Sequence, residues 1–83
     1  MKKFKFELVG LDGNFIEKEI DVLICDTDLG QISILANHHP LITSLKKGEI
    51  KIRKDDEYEV IFLPFDSILE VKENKARILA MFH

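Results

Sequence analysis

From residue 4 onward apolar and charged side chains take turns: Phe4, Phe6 and Leu8 alternate with Lys5 and Glu7. A period of two marks a strand with one covered face, and helical spacing is almost absent from the chain. Leu11-Asp12-Gly13-Asn14 interrupts the run with a glycine able to take φ > 0, so residues 4–8 and 15–19 are predicted to form a hairpin. Ile20, Val22 and Ile24 resume the alternation around Asp21, while Leu23 and Cys25 on the other parity suggest a strand partly covered on both faces. Asp26-Thr27-Asp28 closes it.

Gln31 to Leu35 repeats the pattern, with Ile32 and Ile34 on one face, before the non-periodic stretch Ala36-Asn37-His38-His39-Pro40. Pro40 lacks a donor and biases His39 toward extended backbone, which predicts a shaped loop. Leu41 to Leu45 reads as a short strand and Lys46-Lys47-Gly48 as a turn. Ile50 and Ile52 alternate with Glu49, Lys51 and Arg53, and the charged tip Lys54-Asp55-Asp56-Glu57 leads to Tyr58, Val60 and Phe62. After Pro64-Phe65-Asp66 come Ile68-Leu69-Glu70-Val71, the turn Lys72-Glu73-Asn74, and Ala76, Ile78 and Ala80 alternating with Arg77, Leu79 and Met81.

Eight or nine short strands at regular spacing predict an all-β fold, a small antiparallel β-sandwich, because a single open sheet would leave one apolar face wet. The alternation places Phe6, Leu8, Val22, Ile32, Ile34, Ile50, Ile52, Val60, Phe62, Ile68 and Ile78 mainly inward.

The chain has 83 residues, 46% hydrophobic and 33% charged, a balance that fits one domain over residues 1–83 and leaves no room for a second. A net charge of -3, with both signs interspersed, gives no electrostatic reason to expect nucleic acid. The single Cys25 cannot form an internal disulfide, and Met1-Lys2-Lys3 runs into a strand pattern instead of an apolar leader. A reducing, cytoplasmic compartment is expected. Uninterrupted apolar runs fall far short of the roughly 20 residues needed to cross a bilayer, so any membrane association is expected to run through partners.

Candidate chemistry is thin. His38 and His39 are the residue type of metal ligands and general bases, but neighbours in an extended loop point to opposite sides, and the third histidine is the terminal His83. A loop or interface role is expected for the pair, with no catalytic, cofactor-binding or metal site. Cys25 ends an apolar strand without neighbouring cations and reads as a buried thiol. Neither Gly10-Leu11-Asp12-Gly13 nor Leu45-Lys46-Lys47-Gly48 opens a helix, as a phosphate cradle would. Asp55-Asp56-Glu57 and Lys46-Lys47 read as solvated tips, whereas Phe65 and Phe82 are interface candidates. Patterning alone therefore stops at a small β-sandwich. It leaves open a part of a larger assembly, a stand-alone module binding a peptide or carbohydrate, and a hydrolase built on His38 and His39.

A more specific reading begins at Gly30. The segment Gly30-Gln31-Ile32-Ser33-Ile34-Leu35-Ala36-Asn37-His38-His39-Pro40-Leu41-Ile42-Thr43-Ser44-Leu45-Lys46-Lys47-Gly48 resembles, without gaps, the epsilon subunit of F-type ATP synthases, which typically reads GELGI, then PGHAPL, then a strand ending in KPG. Ile50-Lys51-Ile52 resembles the family's next strand, Ile68-Leu69-Glu70-Val71 its GGxLEV segment, and Ala76 to Ala80 the strand that closes its sandwich. Ser33, Ala36 and Asn37 replace Gly, Pro and Gly of that pattern, and Asp66-Ser67 stand where paired glycines are common. Asn37 tolerates φ > 0 and is expected to keep the turn; Ser33 is expected to alter a contact if the family glycine serves close backbone approach.

The resemblance implies a non-catalytic rotor component of a proton- or sodium-transporting ATP synthase that binds the gamma subunit and rests on the polar loops of the c-ring. It would be a monomer within that hetero-oligomeric complex, peripheral on the cytoplasmic side of a bacterial plasma membrane, and without a cofactor. Carried over residue by residue, Gln31 stands where the family often has a Glu facing the ring, and His38 and Thr43 fall in the segment near gamma and the ring. Gln31 keeps hydrogen bonding but drops the charge. The family's sandwich is commonly followed by two helices that block rotation in the hydrolysis direction and in some members bind ATP. With no 3.6-residue period along this chain, the expectation is a complex not autoinhibited through this subunit and an isolated chain that binds no ATP.

Overall fold

The computed structural model describes residues 2–13 and 15–80. Asn14 of the first turn, Met81, the interface candidate Phe82 and His83 lie outside the described residues. Among the described residues nine strands follow one another: β1 (Phe4–Gly10), β2 (Phe15–Ile20), β3 (Val22–Thr27), β4 (Gly30–Ile34), β5 (Leu41–Leu45), β6 (Gly48–Lys54), β7 (Glu57–Leu63), β8 (Ser67–Lys72) and β9 (Lys75–Ala80). The turns form where the sequence supplies φ > 0 or side-chain caps. Glu73 and Asn74, at φ 51 and 58, are the two central residues between the paired Lys72 and Lys75, the backbone of a two-residue type I′ hairpin. Asn37, at φ 62, holds the left-handed position expected of it.

The strands form one sheet in the order β2-β1-β9-β8-β5-β3-β6-β7, with β4 on β3. Between β5 and β3 only the pair Leu45 and Thr27 is bridged, and there the sheet folds over into a sandwich of two layers, β2-β1-β9-β8-β5 and β4-β3-β6-β7. On the opposite side the edge strands β2 and β7 approach, and Lys18 Nζ donates to Glu59 Oε1 across 2.6 Å. Among the described residues every strand pair is antiparallel except β1 with β9, which is parallel. That corrects the all-antiparallel expectation. β1 inserts between its hairpin partner and the last strand, a pairing that no local turn encodes.

Between the layers lies a core that includes Phe4, Phe6, Ile20, Leu23, Cys25, Ile34, Leu45, Ile50, Ile52, Leu63, Leu69, Val71 and Ile78. Phe6, Leu8, Ile34, Ile50, Ile52 and Ile78 are buried as the alternation predicts, and Ile32 packs against them. Four residues face the other way. Val22 gives way to Leu23 because Asp21 is a corner: its N–H donates to Arg53 O and its side chain is buried, so parity shifts between Ile20 and Leu23. Val60 and Phe62 point outward because directly opposed residues share a face, and Ile50 opposite Ile61 with Gly48 opposite Leu63 turns the odd positions of β7 inward. Ile68 is outward for the same reason, since Leu69 faces the core residue Ile78.

Two polar clusters tie distant strands together. Lys3 Nζ donates to Asp21 Oδ1 at 2.9 Å and to Asp55 Oδ1 at 2.8 Å, and Asp55 N donates to Asp21 Oδ2 at 2.7 Å. The Lys3 hydrogen bond holds the Asp21 carboxyl below the usual carboxylate range, and the bonds to Asp55 and Asp21 raise Lys3. On the outer face of β1, buried Glu7 accepts from Arg77 Nε at 3.0 Å and lies 3.7 Å from Lys75 Nζ. Burial pushes Glu7 up, but the Arg77 hydrogen bond and the charges of Lys75, Arg77 and Lys5 outweigh it and leave the carboxyl lowered.

A depressed carboxyl contributes stability that is complete above the unfolded value, about 4, and is lost as pH falls through the folded one. Thermal unfolding of the wild type is therefore expected to drop steeply in temperature below about pH 4. Asp21→Asn and Glu7→Gln should each melt lower at pH 7 and lose less on acidification. Parallel pH profiles for all three proteins would rule these pairs out as the source.

Candidate interaction surface

Because consecutive strands run from one end of the sandwich to the other, the turns sort into two sets. The pairings Gly10 with Ala80, Ala80 with Ser67, Ser67 with Leu45, Leu45 with Thr27 and Thr27 with Gly30 place the β1–β2, β3–β4, β5–β6 and β7–β8 turns at a first end. The β2–β3, β4–β5, β6–β7 and β8–β9 connections lie with Lys3 at the second.

The second end is polar and cross-linked. Asn74 Oδ1 accepts from Asn37 N at 2.8 Å, its backbone O from Lys5 N at 3.2 Å, and the Lys3-Asp21-Asp55 cluster adjoins it. His38 is here, half-buried, its Nδ1–H donating to the His39 carbonyl at 2.7 Å, with the two rings edge-on and their centroids 6.3 Å apart. That contact fixes the loop and leaves the two imidazoles unaligned for a shared ligand. Cys25 is buried, and burial, with the Asp26 charge, pushes its thiol up to about 12; it stays un-ionised and unreactive.

The first end carries exposed apolar side chains on its turns: Leu11, Phe65 and Leu29, the last 97% exposed. The Leu29 turn is nevertheless fixed. Thr27 Oγ1 accepts from Leu29 N at 3.1 Å and donates to Gly30 O at 2.8 Å, with Gly30 at φ 116. Lys46 N donates to Asp26 O at 3.2 Å and Lys47 N to Asp66 Oδ1 at 2.9 Å, binding the neighbouring turns to the same platform. A hollow of about 250 Å³ between the β3–β4 and β7–β8 turns is lined by Asp28, Ser44, Leu45, Asp66, Ser67 and Ile68.

The outer face of the β4-β3-β6-β7 layer is amphipathic. Tyr58 pairs with Arg53, which in turn pairs with Val22, and Val60 heads a row that runs across the strands through Lys51 and Ile24 to Ser33; Phe62 pairs with Glu49, and Gln31 with Asp26. Tyr58, Val60 and Phe62 are 64%, 51% and 66% exposed, a stripe of large apolar groups along an edge strand. A hollow of about 310 Å³ lined by Ile24, Cys25, Asp26, Gln31, Glu49 and Lys51 indents the same face.

The three residues singled out from the sequence do not meet. Gln31 is exposed on this face near the first end, and His38 belongs to the second. Thr43 is half-buried in β5 opposite Leu69, sharing the parity of Leu41 and Leu45, and it is Ile42, 71% exposed, that faces out. Ser33 is an ordinary exposed strand residue opposite Ile24, outside the φ > 0 region. The β7 stripe and the Leu29 tip were missed. The first was recoverable by counting across the two-residue Asp55-Asp56 turn from Ile50 and Ile52; the second carried no signal in the alternation.

Comparison with known proteins gives one consistent answer. The family model for the ATP synthase delta/epsilon chain, beta-sandwich domain, matches residues 3–82. The ATP synthase epsilon chain of Caldicellulosiruptor bescii is 31% identical over 80 residues, 96% of this chain and 58% of that relative. The plastid epsilon chain of Prototheca wickerhamii is 43% identical over 68 residues, 82% and 50% of the two chains. This chain thus spans about half the length of these relatives. Among solved structures, a chain of the Euglena gracilis mitochondrial ATP synthase (OSCP/F1/c-ring) superposes with a TM-score of 0.87 at 15% identity, covering 96% of this chain and 51% of that one. A chain of the Tetrahymena thermophila mitochondrial ATP synthase (central stalk/c-ring) gives 0.78 at 16% identity, covering 99% and 67%. At such identities the superpositions speak for the fold alone.

Proposed function

The chain belongs to the ATP synthase delta/epsilon chain β-sandwich family, and from that premise we propose that it is a non-catalytic central-stalk subunit of an F-type ATP synthase, joining gamma to the c-ring. The observation that carries the reading is the family match over residues 3–82, nearly the whole chain. The electrostatic clusters agree with it, since Lys3-Asp21-Asp55 and Glu7-Arg77 tie strands to strands, and a part that transmits torque must resist shear. Gamma fits the amphipathic outer face of β7, β6, β3 and β4, whose Tyr58, Val60 and Phe62 have the composition of an interface core with a charged rim. Among the described residues no helix is long and apolar enough to cross a membrane. The proposed placement is peripheral, on the cytoplasmic side of a bacterial plasma membrane.

Co-expression with gamma tests this directly. The expected result is co-purification as a stable one-to-one complex, with Gln31→Ala or His38→Ala weakening assembly or coupling more than Asp56→Ala. Failure of the wild-type pair to associate, with both chains shown to be folded, would favour a stand-alone binding module instead.

A further inference from the structure

β2, β4 and β7 each keep one edge that no other strand covers among the described residues. Such an edge is a row of unpaired N–H and C=O groups, and it invites a further strand unless it is short, charged or broken by proline. β4 is five residues long, and β2 sets Glu17, Lys18 and Glu19 in a row. β7 runs for seven residues without proline or lysine and exposes Tyr58, Val60 and Phe62. The carboxylate at its middle, Glu59, is already engaged by Lys18 Nζ of the same chain.

The hydrogen-bonding phase of β7 follows from its hairpin. The two-residue turn Asp55-Asp56 closes on Lys54 opposite Glu57, and residues flanking such a turn bond to each other. Bonded and non-bonded pairs alternate along an antiparallel ladder, so Glu59, Ile61 and Leu63 also direct their N–H and C=O groups to β6. Those of Tyr58, Val60 and Phe62 therefore point away from the sheet, at the same three residues whose side chains stand on its outer face.

We propose that the free chain forms a two-fold dimer in which β7 pairs antiparallel with β7 of a second copy, Val60 opposite Val60. In that register Tyr58 meets the partner's Phe62, and all three edge-facing residues exchange both backbone bonds, joining the two β4-β3-β6-β7 layers into one continuous sheet. The charges agree with it. Arg53 pairs with Tyr58 and Glu49 with Phe62, so each outer row across the join runs from a base through two aromatic rings to an acid. Centring the pair on Glu59 instead would oppose two carboxylates and leave Phe62 unused. The two-fold closes the β7 edge of both copies, so growth by this edge stops at two. A single strand pair belongs to the small, reversible interfaces, below about 1,200 Å². It covers the side chains assigned to gamma, so gamma and a second copy exclude each other, but the pairing itself does not rest on the stalk reading.

Sedimentation equilibrium of the full chain alone, from about 5 to about 500 μM, tests the pairing over the range suited to a contact of that size. The wild type is expected to reach a dimer and nothing larger. Val60→Lys and Val60→Glu, at a half-exposed position that keeps the fold, each oppose like charges and should weaken dimerisation tenfold or more, about 1.4 kcal/mol. Mixing the two variants should restore at least the wild-type affinity, because the position faces its own copy. Amide exchange at Tyr58, Val60 and Phe62 should slow at least tenfold from dilute to concentrated wild type, with a smaller change at Glu59 and Ile61. A wild type that stays monomeric throughout, or grows beyond the dimer, would overturn the proposal. So would a Val60→Lys dimer as tight as wild type, a mixture no tighter than its parents, or exchange at the three amides that ignores concentration. None of these results would bear on the binding of gamma.

Discussion

Replacing Phe6 by Ala is expected to remove a large share of the protein's stability, whereas replacing Phe62 by Ala is expected to leave it nearly unchanged. Phe6 is fully buried between the layers, in a strand paired on both edges by β2 and β9. Truncating such a ring costs about 3–5 kcal/mol, because the transfer energy is lost and the cavity relaxes only partly. A chain of 83 residues has a total stability of roughly 4–12 kcal/mol at the usual 0.05–0.15 kcal/mol per residue. Phe62 is an equally large side chain on an adjacent parity class, but it is 66% exposed, so its loss should cost below about 1 kcal/mol. Urea midpoints at constant m-value decide between them. Comparable shifts for the two variants would mean that the faces of β7 are assigned wrongly.

The complementary effect is expected in assembly. Val60→Thr combined with Phe62→Thr places β-branched residues at both positions of the edge strand while removing two of its three large exposed apolar side chains. If gamma covers this face, the pair should lower affinity for gamma by at least about a hundredfold, two steps of 1.4 kcal/mol, with a urea midpoint close to that of the wild type. Phe6→Ala should instead lower the urea midpoint without weakening binding by the folded protein. Gamma affinity within about threefold of wild type for the double variant would place gamma elsewhere on the sandwich.

The contrast between Phe6 and Phe62 also locates the limit of reading this fold from its sequence. Where one parity alone is apolar, as in Phe4-Lys5-Phe6-Glu7-Leu8 or Ile50-Lys51-Ile52, alternation fixes both the strand and its buried face. In β7 both parities carry large apolar groups, Tyr58, Val60 and Phe62 on one and Ile61 and Leu63 on the other. Local pattern is then symmetric, and only the register with β6 breaks the tie. The same holds for Ile68 against Leu69 and for Val22 against Leu23, where the Asp21 corner resets the count.

Strand number, turn positions, the all-β class and the family-like stretch from Gly30 to Gly48 were thus determined by the sequence itself, because each rests on interactions within a few residues. Tertiary structure alone decided the parallel pairing of β1 with β9 and the burial of Glu7 against Arg77, 70 positions away. It alone also separated Gln31 from His38 and gathered Leu11, Leu29 and Phe65 at one end. Those outcomes depend on which strand edges meet, a choice made by the whole core at once and recorded in no single segment of the chain.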